Sequence, residues 1–252
     1  SGLLMAMAGG MAPDVLYVNF RQLENFYRQG FLYPLNEFIE REPDVVKRIH
    51  PLILQTITVN GKIYSFPYMQ FVQALYYRKD LFRDAGLDPN RPPRNWDEFY
   101  AYAKRLTNPD KGQYGFGFES APQGTAWWWV NFLWQAGGDV VRKQPDGRYV
   151  TAFATPEGAA ALEFYRKLLL APITLPSGKL HRGVAIRTAN IYRDFVEKGK
   201  LGMWFQYQSD LIANQSTANI SPALIGIAPM PKGPTGLTGN EVNASMLGIS
   251  AL

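Results

Sequence analysis

Apolar residues recur along this chain at two spacings, and the change from one to the other marks out its elements. Val15 to Val18 is a short β-rich run that predicts a buried strand. A turn over residues 19–22 follows, then a helix through Leu23, Phe26 and Tyr27 that stops at Gly30. Pro34 to Ile39 opens another helix with Leu35, Phe38 and Ile39 inward. Asn60-Gly61 signals a tight turn before the alternating run Lys62 to Phe66. Pro67 to Phe71 breaks that run, and Ala74 to Arg78 resumes extended structure. A short helix over Lys79 to Ala85 ends at Gly86.

Further on, Asn95 with Glu98 three residues later makes a capping-box start. Phe99, Tyr102, Ala103 and Leu106 then follow at helical spacing, so that helix buries one face. Tyr114 to Phe118 is a glycine-laced strand, where glycine permits a close backbone approach or a bulge. The stretch Trp127 to Gly138 holds four tryptophans in eight residues and ends in two glycines. As a helix it points Trp127, Asn131 and Trp134 one way and fans Trp128 and Trp129 away, since neighbours differ by about 100°. At least one indole is therefore expected in a cleft or on the surface. Asp139 to Val150 predicts an exposed hairpin turning at Pro145 to Arg148. Thr155-Pro156-Glu157 starts a helix with a cap, a proline at the first position and an acid near the positive end.

In the last third, Asn190 to Lys198 predicts a helix stopped at Gly199, and Lys200 to Phe205 a strand. Gln206 to Ser209 is the polar, aromatic loop after that strand, and Asp210 to Ala213 begins a helix. Leu224 to Ala228 is a strand, Pro229 to Gly236 a stiff connector, and Ser245 to Leu252 a last strand. Loops near 108 and 229 read as two crossings between lobes. They divide the chain into residues 1–108 with 230–252, and residues 109–229. Two connections make a hinge, and ligands favour the cleft between domains.

At 252 residues the chain suits one large domain or two modest ones, and 46% hydrophobic residues supply an ordinary core. The charge is +5, but Arg41 to Arg48 and Arg78 to Arg83 interleave bases with acids, as a solvated face does, so nucleic acid is not expected. There is no cysteine, which excludes disulfides and thiol chemistry. No apolar run is long enough to span a bilayer. Ser1 to Gly10 lacks the basic start of a secretory signal and reads as a helix tail. A helix beginning at residue 1 suggests a chain cut from something longer.

Enzyme chemistry finds little support. His50 and His181 stand far apart, and neither has metal-ligand spacing, so no metal or cofactor is expected. No Gly-x-Ser-x-Gly or phosphate-cradling loop occurs, and Gly115-Phe116-Gly117 lacks the third glycine of a dinucleotide site. A glycosidase needs only two carboxylates; Glu119 and Asp139 are the available pair, better explained as hydrogen-bonding or surface groups.

Several phrases, in order, resemble one family. They are Ala12 to Val15, Gly30 to Asn36, Asn60 to Tyr64, Tyr76 to Phe82, Ala85 to Pro89, Asn95 to Phe99, Leu133 to Asp139, Gly199 to Trp204 and Ala228 to Pro234. Together they are similar to extracellular solute-binding proteins of ABC importers, with the sugar-binding branch the nearest fit. The resemblance implies an α/β fold, a two-lobed periplasmic-binding-protein-like clamp of type II, here incomplete at both termini. It implies a periplasmic or extracellular protein, secreted or lipid-anchored in a longer parent. Such a protein closes on a saccharide and hands it unaltered to a permease driven by an ATPase. A sensing domain of a membrane receptor on the same fold is the alternative. Arg78 stands where the family usually has Asn, a change at a helix start. Family members are longer at both ends, so the chain reads as a middle segment, expected to bind ligand weakly beside its longer parent.

A sugar needs rings for its C–H faces and fixed partners for its hydroxyls. Burying roughly 100 Å² of ring face contributes about 2–3 kcal/mol, which unpaired hydroxyls would cancel. The candidate loops carry both: Asn19, Phe20 and Arg21; Tyr68 and Gln70; Glu119 with Trp127 and Trp128; Gln206, Tyr207 and Gln208; and Asn240, Glu241 and Asn243. By position they match the family's ligand-lining loops. Polyamine sites want clustered acids, and these loops hold few.

Overall fold

The computed structural model describes residues 2–175, 177–207 and 220–251. The expected helix at Asp210 lies outside the described residues. The chain divides into two compact units, one of residues through Val72 and from Val242 onward, the other Gln73–Glu241. The divisions fall at 72/73 and 241/242, not near 108 and 229. The loops at those positions turn the chain within the second unit.

The first unit contains α1 (Gly2–Ala8), β1 (Val15–Asn19), α2 (Leu23–Arg28), α3 (Asn36–Arg41), α4 (Pro51–Ile57), β2 (Thr58–Val59), β3 (Lys62–Ile63) and the first half of β4 (Phe66–Arg78). Gly30 ends the α2 turn at φ +71°, and Asn60 and Gly61 take positive φ in the β2–β3 hairpin, as their residue types favour. Pro67 does not break the strand. β4 runs through it, with the register shifting between Ser245 and Met246 on its partner. A bulge is one of the few places a strand tolerates proline.

The second unit takes the rest of β4, then α5 (Lys79–Asp84), α6 (Trp96–Leu106), β5 (Tyr114–Glu119), α7 (Pro122–Gln135), β6 (Val141–Lys143) and β7 (Tyr149–Thr151). After these come α8 (Pro156–Leu170), β8 (Pro172–Thr174), β9 (Leu180–Arg182), β10 (Ala185–Thr188), α9 (Ile191–Val196), β11 (Leu201–Tyr207) and β12 (Ile225–Ala228). β13 (Val242–Ile249) returns to the first unit, beginning three residues before the expected Ser245.

In the first unit β13 lies between β1 and β4, antiparallel to both. Leu16 and Val18 of β1 and Ala244 and Met246 of β13 face a core with Phe26, Ile53 and Ile57. Alternate residues Val15, Tyr17 and Leu247 are exposed, the period-2 signature of a sheet with one covered face. Phe38, expected inward, is 44% exposed and lines a shallow apolar groove with Val15, Leu35 and Leu247.

In the second unit the order is β12–β4–β11–β5–β10, with β5 parallel to both neighbours. Both faces are covered. Leu75, Tyr77, Met203 and Phe205 meet α6, α7 and α8 through Phe99, Phe132 and Phe164. Tyr76 and Trp204 turn to the other face, against Phe195 of α9. Gly115 lets β5 press on α6: a Cβ there would stand 2.6 Å from the Ala103 carbonyl carbon. The caps form as their residue types predict. The Asn95 side chain accepts from Glu98 N–H and Thr155 from Gly158 N–H. The Glu98 carboxylate, however, takes the N–H of Arg94 rather than that of Asn95.

Candidate functional site

Three candidates meet in the second unit. Trp127 lies in the second turn of α7, Tyr207 ends β11, and Glu241 ends the unit just before β13. The Trp127 indole N–H donates to the Tyr207 hydroxyl at 2.9 Å, and that hydroxyl donates to Glu241 Oε2. All three are half-buried. The indole is fixed at its nitrogen, and a carboxylate is held in place beside it.

The floor of this cluster is β4. Gln73 pairs across the ladder with Tyr207, so the two side chains leave the sheet on one face. Its backbone N–H donates to the Glu241 carbonyl at 3.0 Å, and its carbonyl accepts from Asn240 Nδ2 at 2.9 Å. The Gln73 carboxamide is 1% exposed, and neither of its polar atoms has a hydrogen-bond partner among the described residues. Buried amides are rarely left so. Asn131, one turn along α7 from Trp127, is equally buried; it donates at 3.4 Å to the carbonyls of Trp127 and Trp128, and its Oδ1 lacks a partner among the described residues. Neither Gln73 nor Asn131 was among the sequence candidates. The available signal was a carboxamide inside an otherwise apolar run.

Trp128 departs from the expectation of an open ring. It is 6% exposed and sits in the core that α7 shares with α8 and the sheet. The rotation that carries it away from Trp127 carries it into a second packed surface. Gln206 and Tyr207 belong to β11 rather than to a loop, and Gln206 Oε1 accepts from Tyr207 N–H at 2.8 Å. Gln208 lies outside the described residues. Glu119 ends β5 and lies against the first turn of α7: a Cβ on Gly124 would stand 2.7 Å from its carboxyl carbon. That is a favourable place for a negative charge.

The first unit holds the others. Asn19 ends β1, and its Oδ1 accepts from Arg21 N–H at 3.1 Å, an Asx turn that orients the loop. The Arg21 guanidinium lies 5.3 Å from the centre of the Phe20 ring. Tyr68 is 55% exposed at the β4 bulge. Gln70 serves structure: Oε1 accepts from His50 N–H at 2.7 Å, and Nε2 donates to the Arg48 carbonyl at 3.1 Å. Asn243 is inside β13, 4% exposed, with Oδ1 accepting from Ala244 N–H.

Among the described residues no three His, Cys, Asp or Glu side chains cluster as metal ligands. No helix is long and apolar enough to cross a membrane. A fixed ring beside hydrogen-bonding groups suits the reversible holding of a small polar molecule, the work of a binding protein. The chain belongs to the bacterial extracellular solute-binding protein family, whose model matches residues 2–251. A binding protein of Brucella abortus is 28% identical over 233 residues, which are 92% of this chain and 53% of that protein. The chain thus spans about half the length of that curated relative. Two solved structures share the fold. UgpB from Mycobacterium tuberculosis in complex with glycerophosphocholine is 25% identical with a TM-score of 0.78, over 99% of this chain and 58% of that one. Maltose-bound MalE3 of T. maritima is 27% identical with a TM-score of 0.75, over 98% and 60%.

Proposed function

We propose that this chain binds a carbohydrate or polyol outside the cytoplasm and passes it, chemically unchanged, to the permease of an ABC importer. The observation that carries the reading is the Trp127–Tyr207–Glu241 chain. It fixes an indole and holds a carboxylate beside it, the pairing a sugar ring with its hydroxyls requires. Family membership and the fold shared with maltose-bound MalE3 support it. A tether to the outer face of the membrane, in a longer polypeptide, belongs to the same proposal.

Hydrolysis fits poorly. The Glu119 carboxylate lies against Gly124 in the first turn of α7 and that of Asp139 takes the Trp134 indole N–H in its last turn, ten residues on, or about 15 Å at 1.5 Å per residue. Paired glycosidase carboxylates stand about 5–9.5 Å apart. Asp139 is also occupied, accepting from Val140 N–H at 2.7 Å and from the Trp134 indole at 3.4 Å.

Ligand-observed NMR and calorimetric titration of mono-, di- and oligosaccharides and polyols test the reading, because NMR detects millimolar binding. At least one of them should bind, Trp127→Ala should weaken it at least tenfold, and aryl-glycosides should not be turned over. Binding by none of the panel, or release of aglycone, refutes the proposal.

A further inference from the structure

Among its described residues the second unit buries four carboxamides, those of Gln73, Asn131, Gln135 and Gln206. Three of them are tied to the fold. Gln135 accepts from the Trp96 indole at 2.7 Å and donates to the Gly239 carbonyl at 3.3 Å. Gln206 accepts from the Tyr207 N–H, and Asn131 donates to carbonyls of its own helix. At Gln73 both the oxygen and the nitrogen of the side chain lack a partner among the described residues. A carboxamide offers an acceptor and two donors, so this one carries the desolvation cost of both ends. Nothing in the packing asks for an amide there. Leu75 and Tyr77 follow on the same face of β4 and are core residues, and an apolar side chain would continue their row. A residue that breaks the local pattern at a cost to the fold marks a functional position.

The place of Gln73 says which function. Its main chain is bonded to Glu241 and to the Asn240 side chain. Its ladder partner is Tyr207, and opposed residues stand about 4.5–5.5 Å apart at Cβ. The amide therefore starts beside the phenol that receives the Trp127 N–H and donates to Glu241. Glutamine keeps much rotamer freedom, so the head can turn to a solute while the strand stays in place.

We propose that Gln73 is a ligand contact of the solute site, its carboxamide unpaired in the free protein and paired with hydroxyls of a bound sugar or polyol. This rests on the solute-binding reading above. A hydroxyl both donates and accepts, and so meets either end of the amide. Binding then relieves a cost that the free fold carries, and stability and affinity oppose each other at this residue. The test compares the parent with Gln73→Met, which keeps the length of the side chain and removes its polar atoms. The melting temperature should rise by about 2 °C or more. Affinity for maltose or mannitol, whichever the parent binds more tightly, should fall about tenfold or more by calorimetry. In ¹⁵N-labelled parent, the side-chain NH₂ signals of Gln73, identified by their absence from Gln73→Met, should shift on saturation with that ligand. A melting temperature unchanged or lowered overturns the unpaired amide. An unchanged affinity, or NH₂ signals that stay in place, overturns the contact and leaves the solute-binding reading standing. Binding of neither maltose nor mannitol by the parent overturns the inference, and the wider sugar and polyol panel then decides the solute-binding reading.

Discussion

Removing the positive charge at Arg78 should destabilise the second unit measurably. Arg78 closes β4, precedes α5 and is 8% exposed. Its Nε and Nη2 donate to the two oxygens of Asp80 at 2.9 and 2.6 Å, and Nη1 donates to the Phe195 carbonyl at 2.7 Å. One guanidinium therefore joins the start of α5 to the last turn of α9, where unpaired carbonyls and the helix dipole both favour a cation. Burial alone would raise the Asp80 carboxyl; the Arg78 hydrogen bonds and charge outweigh it and hold its pKa below the ordinary value.

Arg78→Met keeps the stem and loses these bonds together with the 3.4 Å one from Nη1 to the Val196 carbonyl. Breaking a buried pair from one side costs about 3–5 kcal/mol. The Asp80 side chain is 26% exposed and recovers water, so the low end, about 3 kcal/mol, is expected. That corresponds to roughly 6–12 °C in melting temperature for a chain of this size. Arg78→Asn should fall less far, because asparagine can cap α5 and restore about 1 kcal/mol. Urea denaturation of Arg78→Met, Asp80→Asn and the double variant gives the coupling, expected at about 1.5–3 kcal/mol. The Asp80 pKa is lowered on folding, so its contribution is complete above the unfolded pKa and fades as pH falls through the folded one. Arg78→Met should flatten that acid limb. A variant within about 0.5 kcal/mol of the parent, or a coupling near zero, refutes the argument.

Gly115→Ala should destabilise by about 1–3 kcal/mol or more, because its Cβ meets Ala103 backbone. Gly117→Ala meets only Leu201 side-chain and Ile191 side-chain atoms and should cost less than half as much by the same urea measurement. The Arg94 side chain and N–H lower the Glu98 carboxyl from 4.5 to about 2. Its stabilisation should be complete above pH 4.5 and fade toward pH 2. Glu98→Gln should lose that slope in urea midpoints measured against pH, and an unchanged slope would count against the pairing. Tyr207→Phe removes the hydroxyl joining Trp127 to Glu241 and should weaken a neutral ligand about tenfold, one hydrogen bond's worth; equal affinities by calorimetry would deny the relay a part in binding.

Local chemistry was legible wherever a residue type has one conformational use. Gly30, Gly86, Gly137 and Gly199 all take positive φ just past helix ends, where the sequence places stops. Asn95 and Thr155 cap the helices expected of them. β4 was not legible, because the rule that proline breaks strands is local and the bulge that accommodates Pro67 depends on β13, far along the chain. The unit divisions were hidden for the same reason. The chain changes units inside β4, with no flexible stretch to announce it. β10 is a four-residue strand recognised through its pairing with β5, and no strand was read there.

The site shows the same division between local and distant information. Angular spacing on α7 correctly sets Asn131 beside Trp127, since i and i+4 share a face. It could not say how many faces of α7 would be covered. With α8 packed against it as well as the sheet, even a ring turned away from Trp127 is buried, and Trp128 becomes core. Tyr207 lies 80 residues from Trp127 and 34 from Glu241, so no window along the chain contains the relay.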